Sequence, residues 1–175
     1  MAGRAPRRAV APEGTGRLGA ARFAVVAARF NEPITRKLAD GAVQAFVERG
    51  VAASRVELHW VPGCSELPLA ALALARTGRY AGVACVGAVI RGGTPHWEHV
   101  TREAATGIRE AGLRTGVPVT FGIITALDEE QAWERAGGKV GNRGEEAALA
   151  AHEMAVFLAG PGRAGRTTER RARRG

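Results

Sequence analysis

Short apolar runs of strand length alternate along the chain with segments whose apolar residues recur at helical spacing. The pattern extends from residue 22 to residue 159. Such alternation is typical of βα units, in which helices pack on a parallel sheet. We therefore expect a single α/β domain built on a mainly parallel, four-stranded sheet.

The apolar runs predict four strands, at residues 22–28, 55–61, 83–90 and 117–125. The third run is the most apolar, which predicts a central position in the sheet. Helices are predicted at residues 31–50, 66–77, 96–115, 128–136 and 145–158. The glycines of GGKVGNRG separate the last two helices.

Specific residues predict how two of these helices begin and pack. Asn31 can cap the first helix, which has Pro33 in its first turn and ends at Gly50. In the long helix 96–115, the helical spacing predicts an apolar inner side. That side consists of Val100, Ala104, Ile108 and Leu113.

The formal net charge of +8 is concentrated at the two ends of the chain. Residues 1–22 carry five arginines against one glutamate, and residues 161–175 carry six arginines against one glutamate, which leaves residues 23–160 at −1. Segments this poor in large apolar residues cannot offset the entropy lost on ordering. We expect a flexible basic arm at residues 1–21, a folded domain at 22–159 and a disordered Arg-rich tail at 160–175.

Cys64 and Cys85 are the only cysteines, and they form no CxxC pair. This usage indicates free thiols in a reducing compartment and argues against a structural metal. No apolar stretch approaches the length of a membrane span. A cytoplasmic protein is the expectation, with an Arg-rich organellar transit peptide as the alternative.

The predicted carboxyl ends of the strands carry polar and glycine-rich segments. These are Arg29-Phe30-Asn31, residues 62–66 (PGCSE), residues 91–96 (RGGTPH) and Thr125-Ala126. Ligands of open parallel sheets bind at this edge. The RGGTPH loop suits a phosphate or another anion, although a plain glycine-rich turn explains it equally well. Neither a Walker loop nor a dinucleotide-binding GxGxxG motif is present.

Four residues have both a chemical and a structural interpretation. His96 begins a helix, where a neutral imidazole could accept a proton, but a lone histidine more often only packs or caps. Arg135 could hold a phosphate or cap its own helix. Phe30 could be a stacking platform or a core residue, and Phe121, inside a strand, is more simply a core residue. His96 and His99 lack an evident third ligand for zinc.

Five motifs in order together resemble lumazine synthase. They are FNEPIT (30–35), VPGCSELPLA (61–70), GAVIRGGTPHWEHV (87–100), VPVTFGIIT (117–125) and ERAGGKVGNRGEEAALAAHEMA (134–155). The resemblance implies a flavodoxin-like three-layer α/β/α sandwich. It also implies homo-pentamers, in some relatives a 60-subunit icosahedral shell, with active sites between subunits.

The resemblance further implies a reaction between two small molecules, 5-amino-6-(D-ribitylamino)uracil and L-3,4-dihydroxy-2-butanone 4-phosphate. The product, 6,7-dimethyl-8-ribityllumazine, could pass to riboflavin synthase. Neither a cofactor nor a metal is implied. The short GGKVGNRG connection is similar to that of shell-forming relatives.

The same resemblance implies a role for each matching residue. The uracil substrate would contact Phe30, Cys64, Ser65, Glu66, Phe121 and the backbone of Ala88, Val89 and Ile90. The butanone phosphate would contact Gly93, Thr94 and Arg135. His96 would move protons, with Arg135 as its catalytic partner. Lys139 and Arg143 would add positive charge nearby.

Two features depart from the family pattern and keep alternatives open. Ser65 stands where many relatives have a larger apolar residue, and Cys64 replaces a small inert one. A flavin-binding paralogue is therefore one alternative. A non-enzymatic shell, whose basic tails gather RNA or acidic cargo, is another.

Overall fold

The structure is a computed structural model that describes Leu18 and residues 20–160. The remaining residues of the predicted N-terminal arm and the C-terminal tail beyond Gly160 lie outside the described residues.

Four parallel strands form one sheet in the order β2-β1-β3-β4. The strands are β1 (Arg22–Ala28), β2 (Val56–Val61), β3 (Tyr80–Ile90) and β4 (Val119–Ala126). The helices are α1 (Glu32–Glu48), α2 (Leu67–Arg76), α3 (His96–Thr115), α4 (Glu129–Glu134) and α5 (Arg143–Ala159). The predicted flavodoxin-like three-layer α/β/α sandwich is confirmed, and β3 lies inside the sheet as expected.

Both faces of the sheet are covered because successive strand residues point to opposite sides. Phe23, Val25 and Ala27 of β1 pack with α1 and α5, and the Phe23 and Phe46 rings stack 4.5 Å apart. The alternate β1 residues pack with α2 and α3 in a second core. Each fully buried large side chain stabilises the fold by roughly 1.5–3 kcal/mol. Among the described residues, no helix is long and apolar enough to cross a bilayer.

The prediction that Leu113 belongs to the buried side of α3 is wrong. Leu113 is 77 % exposed, and Ala104, Ile108 and Ala111 form the buried side of the helix. The buried positions recur at intervals of four and three residues, whereas Leu113 lies five residues after Ile108. At about 100° per residue, that step rotates Leu113 well away from the inner side.

The first helix begins directly after Asn31, as predicted, but without the predicted side-chain cap. Asn31 occupies the position before α1, but its side chain makes no capping hydrogen bond. Its amide instead donates to the carbonyl of Ala88 in β3, at 2.9 Å. The predicted side-chain cap at Asn31 is therefore wrong, because Asn31 has left-handed backbone (φ 60°, ψ 40°) whereas a capping residue typically has extended backbone.

The glycine-rich segment after α4 forms a small hairpin that was not predicted. Its strands are β5 (Ala136–Gly138) and β6 (Gly141–Asn142). The Asn142 side chain accepts hydrogen bonds from the backbone of Gly144 and Glu145, so α5 begins at Arg143 rather than at residue 145. The Asn142 amide also donates to the carbonyl of Lys37, at 2.9 Å. One side chain thus caps α5 and joins it to α1.

Candidate active site

A cavity of about 460 Å³ opens where β1, β2 and β3 end and α3 begins. This is the edge at which parallel α/β sheets bind ligands. Its lining consists of Phe30, Pro62, Gly63, Cys64, Ser65, Glu66, Ala88, Val89, Ile90, Gly92, Thr94, His96, Trp97 and Val100. The sequence had placed the candidate site at this edge.

Nine of the predicted site residues line this cavity. They are Phe30, Cys64, Ser65, Glu66, Ala88, Val89, Ile90, Thr94 and His96. Gly93 lies between two lining residues without lining the cavity itself. Pro62, Gly63 and Gly92 belong to the strand-end segments that the sequence had indicated, but they had been given no individual role. Sequence reasoning missed Trp97 as a lining residue and assigned Val100 only to the inner side of α3. Trp97 directly follows His96 in the first turn of α3, and this neighbourhood was the signal available for it.

Phe30 presents an apolar ring to the cavity although 70 % of the residue is exposed. It is therefore not a core residue. Its backbone is fixed at both ends, because its N–H donates to the carbonyl of Pro62 at 3.1 Å. Its carbonyl accepts a hydrogen bond from the Thr35 hydroxyl at 3.3 Å. An exposed aromatic ring on a fixed backbone can act as a stacking surface.

Cys64 forms a buried, neutral part of the cavity wall. Burial is the main cause that raises the pKa of its thiol to about 12, and the nearby Glu66 carboxylate raises it further. A backbone hydrogen bond with Ala88 acts in the opposite direction. Because the thiolate is the nucleophilic form, Cys64 is chemically inert near neutral pH. Its role in the cavity is to fill space.

Glu66 and Ser65 supply exposed polar groups on the same wall. A carboxylate oxygen of Glu66 lies 3.3 Å from the position that a Cβ atom at Gly63 would take. A hydroxyl and a carboxylate side by side can bind a polyhydroxylated chain, because the carboxylate accepts hydrogen bonds from hydroxyl groups.

The RGGTPH loop is exposed and connects β3 to α3, which begins at His96. A Cβ atom at Gly92 or Gly93 would meet no other atom within 4 Å, so the backbone is open to a ligand. The loop is anchored where the Arg91 N–H donates to the carbonyl of Ala126 in β4, at 2.9 Å. Thr94, His96 and Trp97, around the start of α3, line the cavity.

Phe121 lies outside this cavity. It is 41 % exposed on β4, which is an edge strand, so the interpretation of Phe121 as a core residue is wrong. It lines a second groove of about 470 Å³ between α3, β4 and α5. The exposed apolar side chains of Leu113, Met154 and Leu158 line the same groove.

Arg135 is also absent from the cavity lining. It lies at the end of α4, where its guanidinium donates to the carbonyl of Gln131, at 3.1 Å. Within a single chain, Arg135 therefore caps the end of its own helix. Lys139 is exposed, and Arg143 forms an ion pair with Glu146. Within the described chain, Arg135 and His96 do not line a common cavity.

No three His, Cys, Asp or Glu side chains cluster as potential metal ligands anywhere in the part of the chain that the structure describes.

The fold and the cavity define an α/β/α sandwich with a ligand site at the carboxyl edge of its parallel sheet. A model of the 6,7-dimethyl-8-ribityllumazine synthase family matches residues 20–159, nearly the whole described chain. The chain therefore belongs to the 6,7-dimethyl-8-ribityllumazine synthase family, which confirms the resemblance carried by the five motifs. This is a transferase family of riboflavin biosynthesis.

Proposed function

We propose that this protein condenses 5-amino-6-(D-ribitylamino)uracil with L-3,4-dihydroxy-2-butanone 4-phosphate and releases 6,7-dimethyl-8-ribityllumazine, phosphate and water. One observation carries the proposal. In a chain of this family, nine residues chosen from three separate sequence motifs line a single cavity.

The uracil substrate binds with its ring at Phe30 and its ribityl chain along Ser65 and Glu66. Val83 of β3 and Arg91, which directly follows β3, donate backbone hydrogen bonds to Pro118 and Ala126 on the β4 side. Because bonding direction alternates along a strand, the backbone groups of Ala88 and Ile90 point away from β4. The backbone groups of Ala88 already form hydrogen bonds with Cys64 and Asn31. Ile90 is therefore the best-placed backbone to bind the edge of the uracil ring.

The second substrate binds at the RGGTPH loop, where Gly93 and Thr94 hold its phosphate. The uracil amine attacks the ketone carbonyl, and loss of water gives an imine. Phosphate then leaves by elimination, and a second condensation closes the ring with loss of another water. His96 transfers protons in these steps, while the loop and the start of α3 stabilise the leaving phosphate. Because the substrates need no redox activation, positioning supplies much of the rate.

The complete site lies between two subunits of a homo-pentamer, and twelve such pentamers could form a 60-subunit shell. Phe121 and Arg135 lie outside the cavity of their own chain, so a neighbouring chain supplies them. The exposed groove around Phe121 supports this arrangement, because an apolar patch beside an edge strand is typical of an interface. Arg135 of the neighbour then holds the phosphate bidentately.

Mixing the purified protein with both substrates and recording lumazine absorbance tests the proposed reaction. We expect turnover in the wild type and slower turnover, not its loss, in His96→Ala. Undiminished turnover in His96→Ala would reject its role as the proton-transfer residue. No lumazine from the wild type would reject the proposed function.

Mixing two impaired variants tests the shared site. His96→Ala and Arg135→Ala chains are unfolded together, refolded as mixed oligomers and compared with each variant refolded alone. Random mixing at equal amounts leaves about a quarter of the interfaces with both native residues. Turnover should therefore rise above the mean of the two separate variants. Activity equal to that mean would show that each site uses one chain only.

A flavin-binding paralogue is the second candidate function, favoured by the exposed Ser65 hydroxyl on the cavity wall. Titrating the protein with riboflavin while monitoring flavin fluorescence tests this alternative. Tight riboflavin binding without lumazine formation would support the paralogue, whereas turnover with weak riboflavin binding supports the synthase.

A further inference from the structure

The ring of Phe30 is mostly exposed, so contacts with its own side chain do little to fix its direction. Its backbone position has to set the orientation instead. Three elements hold this backbone: the end of β2 through Pro62, α1 through Thr35, and β3 through Asn31. Pro62 and Thr35 form hydrogen bonds with Phe30 itself, whereas the bond to β3 is made by the next residue, Asn31.

Asn31 has an unusual conformation. It is the only non-glycine residue with a positive φ among the described residues, at φ 60° and ψ 40°. Left-handed backbone is costly for most residues, although asparagine tolerates it better than others. Its side chain forgoes the helix cap and donates to the Ala88 carbonyl, at 2.9 Å. Ala88 itself lines the same cavity as Phe30.

Thr35 also holds the Phe30–Asn31 segment, from within α1. It is fully buried, and its hydroxyl lies 3.3 Å from the Phe30 carbonyl and 3.2 Å from the Asn31 carbonyl. The Asn31 carbonyl also accepts the N–H groups of Ile34 and Thr35. The sharp turn between β1 and α1 is therefore fixed by hydrogen bonds on both sides of the Phe30–Asn31 peptide.

We propose that Asn31 is a positioning residue that fixes Phe30 over the ring-binding end of the cavity by tethering the β1–α1 turn to the Ala88 carbonyl. Its role in binding rests on the proposed function, whereas its effect on the Phe30 ring does not. Loss of the amide frees the turn to move relative to β3. The left-handed backbone of Asn31 sets the direction of the turn, and the hydrogen bond to the Ala88 carbonyl keeps the turn beside the cavity.

Two variants separate the tether from the backbone conformation. Asn31→Gly keeps the left-handed conformation at little cost but removes the amide. Asn31→Asp keeps the side-chain shape but leaves no donor for the Ala88 carbonyl.

The first measurement follows the Phe30 ring directly, with or without catalysis. Fluorine NMR of protein containing 4-fluorophenylalanine, with the signal assigned by Phe30→Leu, should show one narrow Phe30 resonance in the wild type. We expect a broadened or split resonance in Asn31→Gly and Asn31→Asp, and the other phenylalanine signals should stay unchanged. An unchanged Phe30 resonance in both variants would overturn the inference even if the protein lacks synthase activity.

The second measurement is a double-mutant cycle on the KM for each substrate. Asn31→Gly should raise the KM for the uracil substrate about five- to tenfold when Phe30 is present, the size expected for losing one neutral hydrogen bond. In the Phe30→Ala background the same change should have little effect, and the KM for the butanone phosphate should hardly move. Equal effects in both backgrounds would show that Asn31 acts without Phe30 and would overturn the inference. A wild type without turnover rejects the proposed function alone.

Discussion

The sulfur of Cys64 occupies the space that a side chain at Gly87 would need. A Cβ atom at Gly87 would lie 2.5 Å from that sulfur and 3.4 Å from the Cβ of Ala28. Strand β3 therefore keeps a glycine where the cavity wall and the sheet meet. The Cys64 thiol thus packs directly against the backbone of Gly87.

Gly87→Ala should consequently destabilise the protein through Cys64. Overpacking of this kind costs about 1–3 kcal/mol in free energy of unfolding. Adding Cys64→Ala to Gly87→Ala should recover a large part of that loss, because it removes the clashing atom. Urea denaturation of both single variants and the double variant at one protein concentration measures the coupling. Strictly additive losses would contradict the contact.

The Cys64 thiol should react slowly with alkylating agents near neutral pH. Its pKa is raised to about 12, mainly by burial, so only a minute fraction is thiolate at pH 8. Iodoacetamide labelling, resolved by peptide mass spectrometry, should be far slower for Cys64 in native than in urea-unfolded protein. Cys64→Ser should retain turnover, since no step uses the thiol. Rapid native labelling at pH 8 would contradict the buried, neutral thiol.

Periodicity predicted the four strands and the large helices because each covers several residues that point into a core. It could not predict that Asn31 bonds Ala88, since no local pattern indicates a partner 57 residues away. The same limit applies to Asn142, whose partner Lys37 lies 105 residues earlier. Local capping rules applied at Asn142, whose backbone is extended, and failed at Asn31, whose left-handed backbone is not that of a capping residue.

The candidate site was predicted where residues follow the strand ends directly. Phe30, Glu66 and His96 lie in one cavity because parallel strands bring their carboxyl ends to one edge. Phe121 was assigned to the core because an apolar residue inside a strand is usually buried. Its exposure follows from the edge position of β4, which the apolar pattern did not predict although it did predict the inner position of β3.

Asn142 should contribute to stability through two separable hydrogen-bonding roles. Asn142→Ala loses both the α5 cap and the bond to the Lys37 carbonyl, and we expect a loss of roughly 1–3 kcal/mol. Asn142→Asp keeps an acceptor for the cap but has no donor for Lys37, so its loss should be smaller. Denaturant unfolding of the two variants gives the comparison. Equal losses would assign the whole effect to the bond with α1.

Gly144 should tolerate no side chain at all. A Cβ atom there would lie 2.0 Å from the backbone oxygen of Leu38 in α1, which cannot move aside like a flexible side chain. Gly144→Ala should therefore be more destabilising than Asn142→Ala, by separating α5 from α1. Thermal unfolding measures the difference, with Gly92→Ala as a control at an open position. A Gly144→Ala protein as stable as the control would refute this helix contact.

His152 should make the protein less stable in mild acid. The residue is 7 % exposed and stacks on Phe23, and its pKa is lowered from 6.5, first by burial and then by the charge of Arg49. The unfolded chain therefore binds a proton at His152 before the folded chain does. The stability that this difference provides is full above the unfolded pKa. It declines as pH falls through about 6.5 and levels off below the folded pKa.

The difference in unfolding free energy between the wild type and His152→Leu isolates this effect. Above pH 7 the difference should be constant, and below pH 6.5 it should change steadily in favour of His152→Leu. Arg49→Gln removes the second cause of the lowered pKa, so it should reduce the pH dependence without abolishing it. All unfolding curves need the same protein concentration, because association also stabilises folded chains. Parallel pH profiles for the wild type and His152→Leu would mean that His152 takes up its proton equally in both states.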